Sequence, residues 1–295
     1  MKSRIVPTQI LTAGGLILQT LGAAAGPYIP GGTTGELPYV DYTSSAIVSW
    51  ATGIADGGYV QGSNVVAPFN DPTRALGVAQ PSNSSDVVSL GRGGTLTLTF
   101  SAPIINGPGA DFAIFENGFE IPGQGQFSEL AYVEVASGDL FVRFPNISLT
   151  DLPVGAFGTI DPTDVYGLAG KAPAGQGTAF DLDIFSGAAI DGFDINAIRY
   201  VRIVDIIGDG SATDSLGSPI YDPYPTVDSA GFDLDAVAVL NQGTPYPEPE
   251  GPDPEEPNPI AASVDVPLPF VTWALGPALM LLGARQRQSG KHGPR

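Results

Sequence analysis

Apolar and polar residues alternate in short runs through the middle of the chain. The runs are TLTLTF (Thr95 to Phe100), DFAIFEN (Asp111 to Asn117), LAYVEV (Leu130 to Val135), LFVRF (Leu140 to Phe144), IRYVRIVDI (Ile198 to Ile206) and AVAVL (Ala236 to Leu240). A period of two in β-branched and aromatic residues predicts half-buried strands, and no comparable stretch has the helical period. Gly, Pro, Asn and Asp clusters such as NGPGAD and ENGFEIPGQGQ separate the runs, which is turn chemistry. The pattern predicts an all-β fold, an antiparallel β-sandwich of jelly-roll type. With no internal repeat and no second compositional regime, residues 26–243 read as one domain.

The two ends carry a different pattern. MKSR followed by IVPTQILTAGGLILQTLGAAA has the basic start, apolar centre and small-residue ending (Ala23, Ala25) of a secretory signal peptide, residues 1–25. The alternative is a retained anchor, but Pro7, Gly14 and Gly15 interrupt the run. Toward the other end, TPYPEPEGPDPEEPNP opens a Pro and acid tract, residues 244–263, which reads as an extended, self-repelling stalk. Residues 264–295 then bring an apolar segment from Val266 to Ala284, followed by Arg285 and Arg287. As a helix rising about 1.5 Å per residue it would span roughly 28 Å, the thickness of a bilayer core, with the arginines on the cytoplasmic side.

This tail, with Val266, Pro267, Leu268 and Pro269 ahead of one apolar helix and a basic end, resembles the PEP-CTERM class of bacterial sorting signals, nearest its VPLPA variant. The resemblance implies export across the inner membrane of a Gram-negative bacterium, transient anchoring there, and processing by an exosortase-type sorting enzyme. An ordinary single-span anchor is the plainer alternative. In the middle of the chain, VVSLGRGGTLTLTFSAPIINGPGADFAIFENGF, SELAYVEV, VYGLAGK, GTAFDLDIF and the blocks from YVRIVDIIGDG to FDLDAVAVL together resemble a family of bacterial secreted cell-surface proteins. What that implies is an all-β surface domain in the cell envelope or outside the cell. Residues 26–86 carry no motif.

Charge narrows the partners. The chain has 295 residues, a net charge of −19, one histidine and no cysteine. Six of its Lys and Arg residues lie between Gly26 and Gly243, against 25 acids, so the domain alone accounts for the whole net charge. Such a surface repels phosphate backbones and attracts cations, which argues against nucleic acid and in favour of divalent metal. His292 is the only imidazole and lies in the basic tail, so the domain has neither imidazole nor thiol for Ser-His-Asp or Cys-His hydrolysis or for His-ligated zinc, copper or haem. GRGGT (Gly91 to Thr95) leads into a strand and reads as a tight turn, not a phosphate loop.

Three kinds of chemistry remain. The first is calcium, bound structurally. In VDIIGDGSATDS an EF-hand register starting at Asp205 fits Asp209 and Gly210 but puts Ile207 and Leu216 at ligand positions, so it is not an EF-hand. Calcium accepts irregular oxygen shells, and the candidates are Asp205, Asp209, Asp214, Asp222, Asp228 and Asp233, with Asp111, Glu116 and Asn117 from the DFAIFEN run. The alternative is a solvated acidic face. The second is sugar binding, for which Tyr221 and Tyr224 in IYDPYPT offer a stacking platform, unless they simply pack over the end of the sandwich. The third is carboxylate catalysis on a carbohydrate by two of Glu116, Glu129 and Glu134 with Tyr132 nearby. Glu129 and Glu134 are separated by an odd step, which places them on opposite faces of a regular strand. The expected function is a non-enzymatic surface or matrix protein, calcium-stabilised; a carbohydrate-binding module or a carboxylate-dependent carbohydrate-active enzyme meeting extracellular polysaccharide is the alternative.

Overall fold

The computed structural model describes residues 26–28, 39–188 and 190–247. Ala23, Ala25, Val266, Pro267, Leu268, Pro269, Arg285 and Arg287 lie outside the described residues. Among the described residues no helix is long and apolar enough to cross a membrane.

In chain order the first strands are β1 (Val40–Asp41), β2 (Ser49–Trp50), β3 (Gly53–Val60), β4 (Val88–Ser89), β5 (Thr95–Ile104) and β6 (Phe112–Glu116). A hairpin of β7 (Phe119–Ile121) and β8 (Gly125–Phe127) follows, then β9 (Ala131–Ala136), β10 (Val142–Arg143), β11 (Ile147–Ser148) and β12 (Val165–Tyr166). The last are β13 (Gln176–Phe180), β14 (Ile198–Asp205), β15 (Asp209–Thr213), β16 (Pro219–Tyr221) and β17 (Asp233–Val239). The chain is all-β, and these strands pair antiparallel. One sheet has six strands in the order β1-β13-β6-β17-β2, with β4 also on β17; a second has five in the order β10-β9-β14-β5-β3. Three short 3-10 turns begin after Asp71, Asp161 and Asp181, whose carboxylates accept the amide two residues on.

One face of each large sheet meets in a single cluster. Leu96, Leu98 and Phe100 of β5, Val133 and Val135 of β9, and Val201 and Ile203 of β14 pack there with Phe112 and Ile114 of β6, Phe180 of β13, and Leu234, Val237 and Val239 of β17. Phe112 and Phe180 stack at 5.3 Å, and Phe144 meets Phe180 edge-on at 5.0 Å. Each such side chain contributes roughly 1.5–3 kcal/mol on burial.

The half-buried strands predicted from alternation need correction. β6 and β17 are buried at every position, on both faces. Ala113 and Phe115 of β6 and Ala236 and Ala238 of β17 form a second cluster with Val40, Ala79 and Ala179, against which Trp50 packs. The cover comes from residues 39–79, the region without a motif, and the alanines allow it to lie close. LFVRF shrinks to the two residues of β10, because Phe144 turns into the main core. The boundary expected at residue 243 moves as well: the Tyr246 amide donates to the Ser101 carbonyl at 3.1 Å, and Arg199 lies over the Tyr246 ring at 5.1 Å. Thr244–Pro247 therefore packs against the domain instead of starting the stalk.

Candidate functional site

The acids of VDIIGDGSATDS are placed by local hydrogen bonds. Asp205 closes β14, and its two oxygens accept the amides of Gly93 at 2.8 Å and Phe232 at 2.7 Å. One carboxylate thus ties the GRGGT turn to the entry of β17. That turn is as tight as expected, since Gly91 and Gly93 have φ of 76° and 74°, and Gly94 donates back to Gly91. Asp209 instead opens β15, exposed, and accepts from Ser211 at 2.9 Å, which lowers its pKa. Asp214 caps the β15–β16 turn by accepting from Leu216 and Ser218 and also holds Ser148 of β11 at 3.1 Å. Asp228 is exposed in the left-handed region, at φ 69°.

Other buried acids play the same part. Asp111 accepts from Gly107, Leu182 and Asn241 at 2.7–2.9 Å. Asp222 accepts from Leu130 at 2.8 Å, across 92 residues of sequence. Asp235 takes the Gln80 amide on both oxygens, and Glu116 takes Gly118 at 2.7 Å. Asn117 donates its side-chain N–H groups to the Ser84 carbonyl and to Asp233.

Five acids form an electrostatic neighbourhood: Glu116, Glu129, Asp205, Asp222 and Asp233. Burial, reinforced by Asp233 and Asp222, raises Glu116 and Glu129 well above the ordinary carboxyl range. Burial pushes Asp222 well up too, and it lifts Asp205 and Asp233 to about 7 against the hydrogen bonds they accept. Asp111 and Asp235 rise to about 6 for the same reason. Of the nine metal candidates the fold thus gathers Glu116, Asp205, Asp222 and Asp233 and adds Glu129. Asp111, Asp209, Asp214 and Asp228 take part in none of these pairings, except that Asp209 pushes on Asp222. Among the described residues no three acids converge in metal-ligating geometry.

Glu129 and Asp233 also line a cleft of about 260 Å³ whose rim includes Phe127, Phe157, Pro225 and Val227. Glu129 there accepts from the Thr226 hydroxyl at 2.5 Å and the Gly231 amide at 3.1 Å, and Asp233 from the Ser89 hydroxyl. Glu134 lies elsewhere: it bridges Arg143 at 2.8 Å and Arg202 at 2.5 Å. Tyr132 is occupied as well, donating to the Thr213 carbonyl and carrying Arg143 over its ring at 3.9 Å.

Sequence reasoning missed Asp233 as the partner of Glu129 and missed Asp235 altogether. The signal was present in FDLDAVAVL, where two acids sit two apart inside an otherwise apolar run. Tyr221 and Tyr224 engage different neighbours. The Tyr221 ring packs on Gly210, where a β-carbon would come within 2.3 Å of it, whereas the Tyr224 ring lies under Arg92 at 5.1 Å. Comparison of the chain with protein families, characterised proteins and solved structures finds no match.

Proposed function

We propose that the chain is a non-enzymatic exported protein of the cell surface or extracellular matrix, built on a β-sandwich of jelly-roll type. The observation that carries this reading is the use made of the buried acids. They are carboxylate staples, each holding the backbone of a distant loop, in a domain with no cysteine to do the same work. Such cross-links suit a display scaffold rich in turns. Calcium enters the proposal as counter-charge at neutral pH for Glu116, Glu129, Asp222 and Asp233, whose mutual repulsion a cation would relieve. Export, the exosortase-type enzyme and transient residence in the inner membrane rest on the two terminal signals. Expressed in a Gram-negative host with that sorting machinery, the chain is expected in the envelope or medium with Gly26 as its first residue, read by mass spectrometry. A chain retained in the cytoplasm with Met1 intact sinks the reading.

A second reading is favoured by one observation, that Glu129 and Asp233 both line the apolar-rimmed cleft. Paired carboxyls with raised affinity for a proton are the arrangement that general acid catalysis on a glycoside uses. If it holds, the full chain releases reducing ends from an oligosaccharide, and Glu129→Gln lowers the rate by at least about a hundredfold. Absence of any release from the unaltered chain removes it.

A further inference from the structure

We infer that a groove across the outer face of the five-stranded sheet binds a neutral saccharide. The groove, about 400 Å³, is made by an irregularity in β3. Ile54 pairs with Leu98 and Tyr59 with Leu96, so the four residues Ala55–Gly58 arch away opposite the single residue Thr97. The arch needs its glycines: Gly57 has φ 63°, and a β-carbon on Gly58 would come within 2.7 Å of the Ala55 carbonyl. Thr97 lies on the floor, its carbonyl within 2.9 Å of where a β-carbon on Gly58 would sit. It is 7% exposed and lines the groove. A hydroxyl on that floor can donate to or accept from a ligand that enters the groove.

The other lining groups supply what a sugar ring requires. Tyr200 and Phe141 offer half-buried aromatic faces, with ring centroids 6.3 Å apart. Arg202 is held between Glu134, which takes its Nε at 2.5 Å, and Phe141, whose ring centroid lies 3.7 Å from the guanidinium carbon. Its remaining N–H groups are thus fixed donors before any ligand arrives. Asp56 and Asp139 stand on the two walls, exposed, as acceptors for sugar hydroxyls. These two acids and the domain charge repel uronates and phosphates, so an uncharged sugar is preferred over an acidic one.

The inference gives a ligand class to the surface protein proposed above, and it rests on that reading only for the absence of chemistry on the sugar. The full chain is titrated calorimetrically with cellohexaose, maltohexaose and mannohexaose, with hexagalacturonate as the charged comparison, and the sugars are analysed afterwards. Binding of at least one neutral hexasaccharide is expected, weakened about tenfold or more by Tyr200→Ala and by Asp139→Ala with melting temperature unchanged, and untouched by Tyr221→Ala. No binding at about 10 mM sugar, binding that survives both groove variants, or preference for hexagalacturonate overturns the inference. Cleavage of a sugar whose binding still depends on Tyr200 overturns the non-enzymatic reading and leaves the groove standing.

Discussion

Raising the pH from about 5 to about 8 without divalent cations is expected to lower the melting temperature of the full chain by about 10 °C, the reverse of what most acidic proteins do. An aspartate in the unfolded chain titrates near about 3.9. In the folded chain burial raises Asp205 and Asp233 to about 7 and Asp111 and Asp235 to about 6. Between those values the native state holds more protons than the unfolded state, so stability falls as the pH climbs from about 4 through about 7. Arg92 is the cation that acts on Asp205, and its effect is smaller than that of burial and of the Asp233 charge. Between about pH 5 and about pH 8 Asp205 and Asp233 each contribute about two units and Asp111 and Asp235 about one each. At about 1.4 kcal/mol per unit these groups together withdraw at most on the order of 8 kcal/mol, more than a drop of about 10 °C requires. Below about pH 4 the trend inverts, because exposed acids such as Asp41, Asp71 and Asp209 are better hydrogen-bonded in the folded chain and lose that advantage on protonation. Scanning calorimetry across pH reads the profile directly, and a melting temperature that rises between pH 5 and 8 would overturn the account. Millimolar calcium supplies the second arm: it is expected to restore melting temperature at pH 8 and to do little at pH 5, where protons already neutralise the cluster. No restoration at pH 8 takes calcium out of the proposal and leaves protons as the counter-charge.

The largest effect of a single substitution is expected at Asp205. Replacing it by alanine strips the Gly93 and Phe232 amides of their acceptor at once, in a place that is 4% exposed and admits little water. A buried donor left unsatisfied costs about 1–3 kcal/mol, so the two together remove roughly 2–6 kcal/mol, a large part of the stability of an ordinary domain. The loss is expected to be greatest at pH 5, where the native side chain carries no charge penalty to set against it. Asp205→Asn keeps one acceptor oxygen and cannot ionise, so it should lose less and show a flatter pH profile. Denaturant titration of both variants at pH 5 and pH 8 checks this pattern, and an alanine variant as stable as the parent at pH 5 would show that the amides find other acceptors.

What could be read in the chain beforehand was whatever lies close in sequence. Alternation located β5, β6, β9, β14 and β17 to within a few residues, and the glycines of GRGGT announced their turn. β3 and β13 escaped because GIADGGYV and QGTAF hold too few apolar side chains to show a period; their pairing is fixed by neighbours far along the chain. Glu129 precedes β9 and Glu134 lies within it, so the odd step between them does not decide their relative placement. Nothing local ties Glu129 to Asp233, which come together because β17 and the loop before β9 meet across the fold. The acids of VDIIGDGSATDS were noticed for the right reason, their density, yet their spacing suggested a common ligand when strand geometry sends Asp205 inward and Asp209 outward.

The two large sheets end in poor templates. β1, β2, β4 and β10 have two residues each, and β3, the remaining edge, arches out at Ala55–Gly58. An incoming strand from a neighbouring copy would find at most a few backbone groups in register before the ladder stopped. Molecules of this kind can therefore be crowded side by side, as in a coat or a gel, without zipping edge to edge into fibrils, and the groove of β3 comes from the same departure from regularity that keeps the edge closed.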